Sequence, residues 1–347
     1  MTARTYNSPK AFKEALEQRL RSASKSGVDF ARRRQLLVFD RFLARVVAVL
    51  RDTVLLKGGL VLELRLERAR TTKDIDLRLT GSPETVLADL QEAGRQVLGD
   101  FMAFEVSRDT EQPKIQNDGM KYEGLRFRAE CRLAGKLYGQ AFGVDVAFGD
   151  PILGEPETVV ADDVLEFAGI APPVVRLYPI ETHIAEKLHA YTMPRARPNT
   201  RIKDLPDIAL LATTRPLEAV RLRSALERTF EFRATHSIPS SLPDPPANWS
   251  IPYREMARRR SKRAISSDSP RRPSGATDAI RSLRCSWAPC DFAWMRKAKP
   301  RAGRSITGSS CERPDLEWTA IARPSASRSF TTLSRTTAPE INESSTT

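Results

Sequence analysis

Two aspartates stand two positions apart in "TTKDIDLRLTG": Asp74 and Asp76, separated by Ile75. In an extended strand such residues point to the same face, with Cα atoms about 6.5 to 7 Å apart, so both carboxylates can reach one ion. Paired hard oxygens suit magnesium, which takes ligands at about 2.0 to 2.1 Å and keeps positions open for phosphate oxygens. A third carboxylate on a neighbouring strand would complete a two-metal site, with ions about 3.5 to 4 Å apart. Asp145, between Val144 and Val146 in "GVDVAFGD", is the candidate. Each signal is weak alone, because D-x-D is frequent in solvated strands and a single Asp in an apolar strand can simply hydrogen-bond at a sheet edge. Gly58-Gly59 strengthens the pattern. A glycine pair ahead of a helix lets backbone N–H groups approach a phosphate, and the helix N-terminus adds partial positive charge. Glycine pair, short helix, basic link and D-x-D together describe a nucleotidyl-transfer site. Arg65, three residues after Leu62, either faces the nucleotide or pairs with an aspartate on the sheet.

Periodicity supplies the elements that must hold these residues. Ser8-Pro9 opens an amphipathic helix over about 9–23, and apolar residues at helical spacing predict a second over 28–50. A turn at 56–59 leads into a short helix at 60–66, and a strand follows at 74–80. The Ser82-Pro83 start predicts a helix over 82–99, then strands at 101–107, 122–133 and 140–148. The expectation is an α/β (α+β) fold: a mixed sheet of about four strands with helices on one side, followed by a helical part at 179–191, 205–213 and 217–231. The Pro-rich stretch "SIPSSLPDPPANWSIPYREMA" reads as an extended wrap anchored by Trp249 and Tyr253. Four regions result: N-terminal helices 1–50, a catalytic core 51–170, a helical domain with its wrap 171–257, and a tail 258–347.

Composition excludes several alternatives. No run of about 18 apolar residues exists, and the N-terminus lacks a secretory h-region, so the expectation is a soluble cytoplasmic protein without a membrane partner. The cysteines, Cys131, Cys285, Cys290 and Cys311, form no C-x-x-C pair and suggest neither zinc nor a disulfide framework. With only His183, His189 and His236, catalysis must rest on carboxylates and cations; His183 and His189, six apart on one helix, read as packing or surface residues. The net charge of +13 suggests nucleic acid, but residues 258–347 carry 18 Lys and Arg against 8 Asp and Glu, leaving only +3 for the main body. That tail is rich in Arg, Ser, Pro and Thr without a packable period, and reads either as a disordered basic tail or as a frame-shifted translation.

The order Gly58-Gly59, Leu62, Arg65, then "TKDIDL" resembles the first motif of the AbiEii/AbiGii toxins, in the polymerase-beta-like nucleotidyltransferase superfamily. "VDVAFGD" resembles the strand carrying that family's third acidic residue, "IETHIAEKLHAY" its helix with a Glu-Lys pair, and "RIKDLPDIALL" its R-x-K-D-x-x-D helix. The resemblance spans about residues 30–255 and stops before the tail. A longer link, "ARPNTR", precedes the last helix, and Pro206 stands where the family more often has an aromatic.

The resemblance implies a polymerase-beta-like nucleotidyltransferase domain and a helical C-terminal domain. It implies a magnesium-dependent toxin of a toxin–antitoxin or abortive-infection system. Asp74, Asp76 and Asp145 would be metal ligands; Lys57, Gly58, Gly59 and Arg65 would hold the nucleotide; Lys187 would compensate triphosphate charge. Asp204 or Asp207, with Arg201 and Lys203, would complete the site, the two aspartates sharing one helix face. An acceptor hydroxyl, deprotonated beside Asp76 or Asp145, would attack the α-phosphate of an NTP in line and release pyrophosphate. The implied acceptor is RNA, with the tRNA 3′ end foremost and Arg195, Arg197, Arg201 and Lys203 offering a basic surface. The implied partner is a cognate antitoxin. Rival readings are a transferase acting on an aminoglycoside-like small molecule, a non-catalytic nucleic-acid-binding protein, and an inactivated remnant.

Overall fold

A computed structural model describes residues 4–256, apart from 66–71, 112, 116–123 and 197. The tail, Leu66, the first residues of the strand expected at 122–133, Arg197 and the three later cysteines lie outside the described residues. Two helices come first, α1 (Pro9–Ser22) and α2 (Gly27–Leu50). Both start on serine caps: Ser8 Oγ accepts from the Ala11 N–H at 3.2 Å and Ser26 Oγ from the Asp29 N–H at 3.1 Å. Then follow β1 (Val54–Lys57), α3 (Gly58–Arg65), β2 (Ile75–Leu79) and α4 (Val86–Arg95). The sheet continues with β3 (Met102–Arg108), β4 (Lys114–Ile115), β5 (Gly124–Leu133), β6 (Lys136–Leu137) and β7 (Phe142–Ala147). It closes with β8 (Glu157–Val160) and β9 (Val174–Leu177). Three helices complete the described chain: α5 (Ile180–Thr192), α6 (Asp204–Leu211) and α7 (Ala219–Arg233).

The fold is α/β with one mixed sheet, as the pattern predicts. It has nine strands among the described residues, in the order β3-β5-β7-β2-β1-β9-β8, with β4 and β6 paired to β5. The four expected strands are β2, β3, β5 and β7. Five were missed because each has only two to four residues, too few to display a period. β1 replaces the turn expected at 56–59: its "VLLK" run gains its ladders by pairing antiparallel with β2 and parallel with β9. The helix expected over 82–99 shortens to α4, because Ser82 Oγ accepts from the nearby Glu84 N–H at 3.3 Å in a turn, and Val97 is 90% exposed.

One apolar core joins Phe12 and Leu16 of α1, Phe39, Phe42 and Val46 of α2, Leu60 of α3 and Leu90 of α4 to the sheet residues Ile75, Leu77, Phe127, Val144 and Val146. Each fully buried side chain of this kind contributes about 1.5 to 3 kcal/mol. Strand alternation then fixes the other face. With Ile75 and Leu77 inward, Asp76 and Arg78 turn outward; with Val144 and Val146 inward, Asp145 turns outward. The helical part reaches that face through a smaller cluster in which Leu62 of α3 packs with Ile180 and Ile184 of α5 and Leu211 of α6. Trp249 and Tyr253 pack on Tyr191, whose hydroxyl donates to the Pro243 carbonyl at 2.7 Å, so the Pro-rich stretch lies against α5.

Candidate active site

Four strands bring one lateral row of charge onto the polar face. Lys57 of β1 is the register partner of Asp76 on β2, Asp76 that of Asp145 on β7, and Asp145 that of Arg126 on β5. Partners in register lie on the same face about 5 Å apart, giving the order cation, carboxylate, carboxylate, cation. Asp74 stands just before β2, next to Gly143 of β7: a Cβ on Gly143 would lie 2.8 Å from Asp74 Oδ1. Gly58 has the sharper constraint. Its φ is +72°, in the left-handed region, and a Cβ there would overlap the Asp76 carboxylate. Glycine therefore does more here than open α3, since it lets the backbone cross directly over Asp76.

The row is electrostatically unbalanced at its centre. Burial, and next the negative charge of Asp145, push Asp76 up to about 6, against the opposing pull of Lys57 and Lys187, with Asp74 adding further repulsion. Asp145 is engaged: Arg126 donates from Nε to Oδ1 and from Nη2 to Oδ2, both at 2.7 Å. That bidentate bond holds the Arg126 proton more tightly than usual.

The cations are held from α5, α6 and α7. Lys57 Nζ donates to Glu186 Oε2 at 2.8 Å and lies 3.9 Å from Asp150. Tyr178 donates its hydroxyl to Glu186 Oε1 at 2.5 Å. Burial alone would push Glu186 up, but the charges of Lys57 and Arg233 and the hydrogen bonds from Lys57 and Tyr178 hold it down at about 2. Arg233 also donates to Asp150, at 2.9 Å from Nη2. Lys187 Nζ donates to Asp207 Oδ2 at 2.9 Å and Asp204 Oδ1 at 3.4 Å. Both aspartates therefore point at Lys187 from α6, as their three-residue spacing predicts, and Pro206 sits in the helix's first turn without breaking it. Asp204 Oδ2 is buried with no hydrogen-bond partner among the described residues.

Arg65 pairs with a carboxylate of the sheet, a glutamate in place of the expected aspartate. Its Nη2 donates to Glu157 on β8 at 2.6 Å and to the Tyr178 carbonyl at 3.4 Å, toward the β8 edge of the sheet. His183 is buried, not a surface residue; burial, and then Lys187, keep it well below its ordinary pKa. His189 is buried against Phe230 and packs as expected. The sequence reading missed Arg126, Tyr178, Asp150 and Arg233. Only Arg126 left a signal, the alternation "LRFRA" that sends it to the polar face; its register with Asp145 is set by pairing that the sequence does not display.

A divalent ion fits part of this site. Asp74 and Asp76 are hard oxygen donors, and their carboxylates lie in the room that Gly143 and Gly58 leave by lacking side chains. As the side chains stand, no three His, Cys, Asp or Glu among the described residues converge on one point. A cavity of about 720 Å³ lined by Arg4, Tyr6, Phe12, Phe101 and Ile170 lies elsewhere and contains none of these residues.

A mixed sheet sets Asp76 beside Asp145, with Asp74 just before β2, Gly58 at the start of α3 and Lys187 on the following helical part, an arrangement that fits a nucleotidyltransferase. The family described as nucleotidyl transferase AbiEii toxin, type IV toxin–antitoxin system, matches residues 41–272. The chain belongs to that family, a family of nucleotidyltransferase toxins, and the match runs further toward the C-terminus than the resemblance read from the motifs. Among curated proteins no match is found. Among solved structures, the chain is similar to MenT4, a nucleotidyltransferase toxin of Mycobacterium tuberculosis H37Rv, with 15% identity and a TM-score of 0.43 over 78% of this chain and 98% of that one. It is also similar to JHP933 of Helicobacter pylori, with 16% identity and a TM-score of 0.35 over 71% and 98%. Membership implies an NTP substrate and a cognate antitoxin. No helix among the described residues is long and apolar enough to cross a membrane.

Proposed function

We propose that the chain is a magnesium-dependent toxin that transfers a nucleoside monophosphate from an NTP to an RNA acceptor, with the tRNA 3′ end as the acceptor. The observation that carries this reading is the row Lys57, Asp76, Asp145 with Asp74 beside it, under a glycine gap and within reach of the Lys187 charge. The transferase core would run from 51 past the expected boundary at 170, because β9 lies within its sheet, and the helical part that follows would begin at α5. A divalent ion on Asp74 and Asp76 would polarise the phosphate oxygens and offset the charge that develops on them.

The chain's own residues do the rest by positioning and electrostatics. The N–H groups at the start of α3 would meet phosphate, since Gly58 brings that backbone close to Asp76. Lys57, fixed by Glu186, and Lys187, fixed by Asp207 and Asp204, present ammonium groups at set positions without needing to be ordered during the reaction. Arg195, Arg201 and Lys203 lie between α5 and α6 and supply positive charge for an RNA backbone.

The test is incubation of the full chain, and of its Asp74→Ala/Asp76→Ala variant, with magnesium, each labelled NTP and total tRNA. Label carried to tRNA by the parent alone supports the proposal and names the nucleotide. A folded parent that labels no RNA, or a double variant that still does, overturns it.

A further inference from the structure

The carboxylate row contains a cation of its own. Arg126 is fixed to β5 opposite Asp145 by strand register, and its planar fork meets both Asp145 oxygens at 2.7 Å. A guanidinium in that geometry occupies one lone pair on each oxygen, the pair that a metal ion bound to both oxygens would use. As the side chains stand, no three potential ligands converge among the described residues, and the Asp76 and Asp74 carboxylates lie in the room that Gly58 and Gly143 leave by lacking side chains.

Resting on the proposed nucleotidyl-transfer reading, we propose that Arg126 is a resident counter-cation that fills the place of a second metal ion on Asp145. The ligand-free chain then accepts one divalent ion, on Asp74 and Asp76, and not the pair that three carboxylates would suggest. Arg126 acts as a positioning residue: it keeps Asp145 turned along the row and away from the ion.

Manganese provides the readout, since free and bound Mn²⁺ are distinguished by electron paramagnetic resonance without any turnover. The full chain, free of nucleotide, is expected to bind one Mn²⁺. Asp145→Asn should leave that binding unchanged, whereas Asp76→Asn should weaken it by about 10-fold or more. Arg126→Gln should add a second Mn²⁺, which the double change Arg126→Gln/Asp145→Asn removes again. Arg126→Lys, which keeps the charge but loses the fork, should fall between the two and carries the test if the Gln variant does not fold. Two Mn²⁺ on the parent, a parent whose binding falls with Asp145→Asn as it does with Asp76→Asn, or stoichiometry unmoved in both folded Arg126 variants would each overturn the inference. So would absence of Mn²⁺ binding in parent and variants alike. Two Mn²⁺ on the parent, or stoichiometry unmoved by the Arg126 variants, would overturn this inference while label still reached tRNA, so the two readings fail separately.

Discussion

At the start of β3, Asp100 accepts four hydrogen bonds, from Arg41 Nε at 2.6 Å, from Arg45 Nη1 and Nη2 at 2.9 and 2.6 Å, and from the Met102 N–H at 3.0 Å. On the polar face, Asp76 lies beside Lys57 and within the field of Lys187, but also beside Asp145 and Asp74. Both carboxylates are desolvated. Burial pushes each up, yet in Asp100 the hydrogen bonds and charges of Arg45 and Arg41 win and lower it, whereas in Asp76 the neighbouring Asp145 reinforces burial and leaves it at about 6. A carboxylate whose lone pairs are filled by its own chain is structural. One whose negative neighbours raise it lacks positive charge that a ligand can bring.

Exchanging the two aspartates for asparagine breaks the comparison if it is wrong. Asp76→Asn should lower transfer by about 10³-fold or more, the scale lost with a preorganised electrostatic element, while urea unfolding shows no loss of stability. Asp100→Asn should do the reverse, costing about 3 to 5 kcal/mol because two buried guanidinium groups lose their counterion. Equal loss of stability in both variants would remove the distinction. Acid titration sharpens it. The folded-state pKa of Asp100 lies below its unfolded value, so the stability it lends is complete above about pH 4 and is lost as pH falls through the folded value. The asparagine variant should lack that acid limb, read as a flatter midpoint against pH in urea.

Gly58→Ala tests how closely the site is built around Asp76. An alanine at φ +72° is strained by about 1 to 3 kcal/mol, and its methyl must displace the Asp76 carboxylate. Transfer should drop by about 10²-fold, as for a misplacement of about 1 Å at a reacting centre. Steady-state kinetics and a melting curve separate the two effects.

Sequence legibility follows the same division. Asp74, Asp76, Asp145 and Gly58 were readable because their chemistry is local: a two-residue period, a dipeptide, one charge in an apolar strand. Lys187, Asp204 and Asp207 were visible through family motifs, which do not display that they pair with one another. Arg126, Asp150 and Arg233 were hidden because their roles arise from pairing across 19 to 83 residues of chain. The partner of Arg65, Glu157, was hidden for the same reason, since β8, which holds it, is too short to be seen as a strand.

Glu186 is the case that tests the comparison most finely, because it stands within the site yet titrates like Asp100. Lys57, Arg233 and Tyr178 together outweigh its burial and hold it at about 2. On the distinction drawn above it is scaffold: it fixes Lys57 and has no need of a ligand. Tyr178→Phe removes one of its partners while Lys57 and Arg233 remain, so the cost should be about 1 kcal/mol in stability, the net worth of one hydrogen bond. Transfer should fall far less than in Asp76→Asn, since Lys57 keeps its bond to Glu186 Oε2 at 2.8 Å. A loss of transfer in Tyr178→Phe as large as that in Asp76→Asn would mean that a fully partnered carboxylate can be as critical to the reaction as an unbalanced one. The raised proton affinity of Asp76 would then no longer single it out.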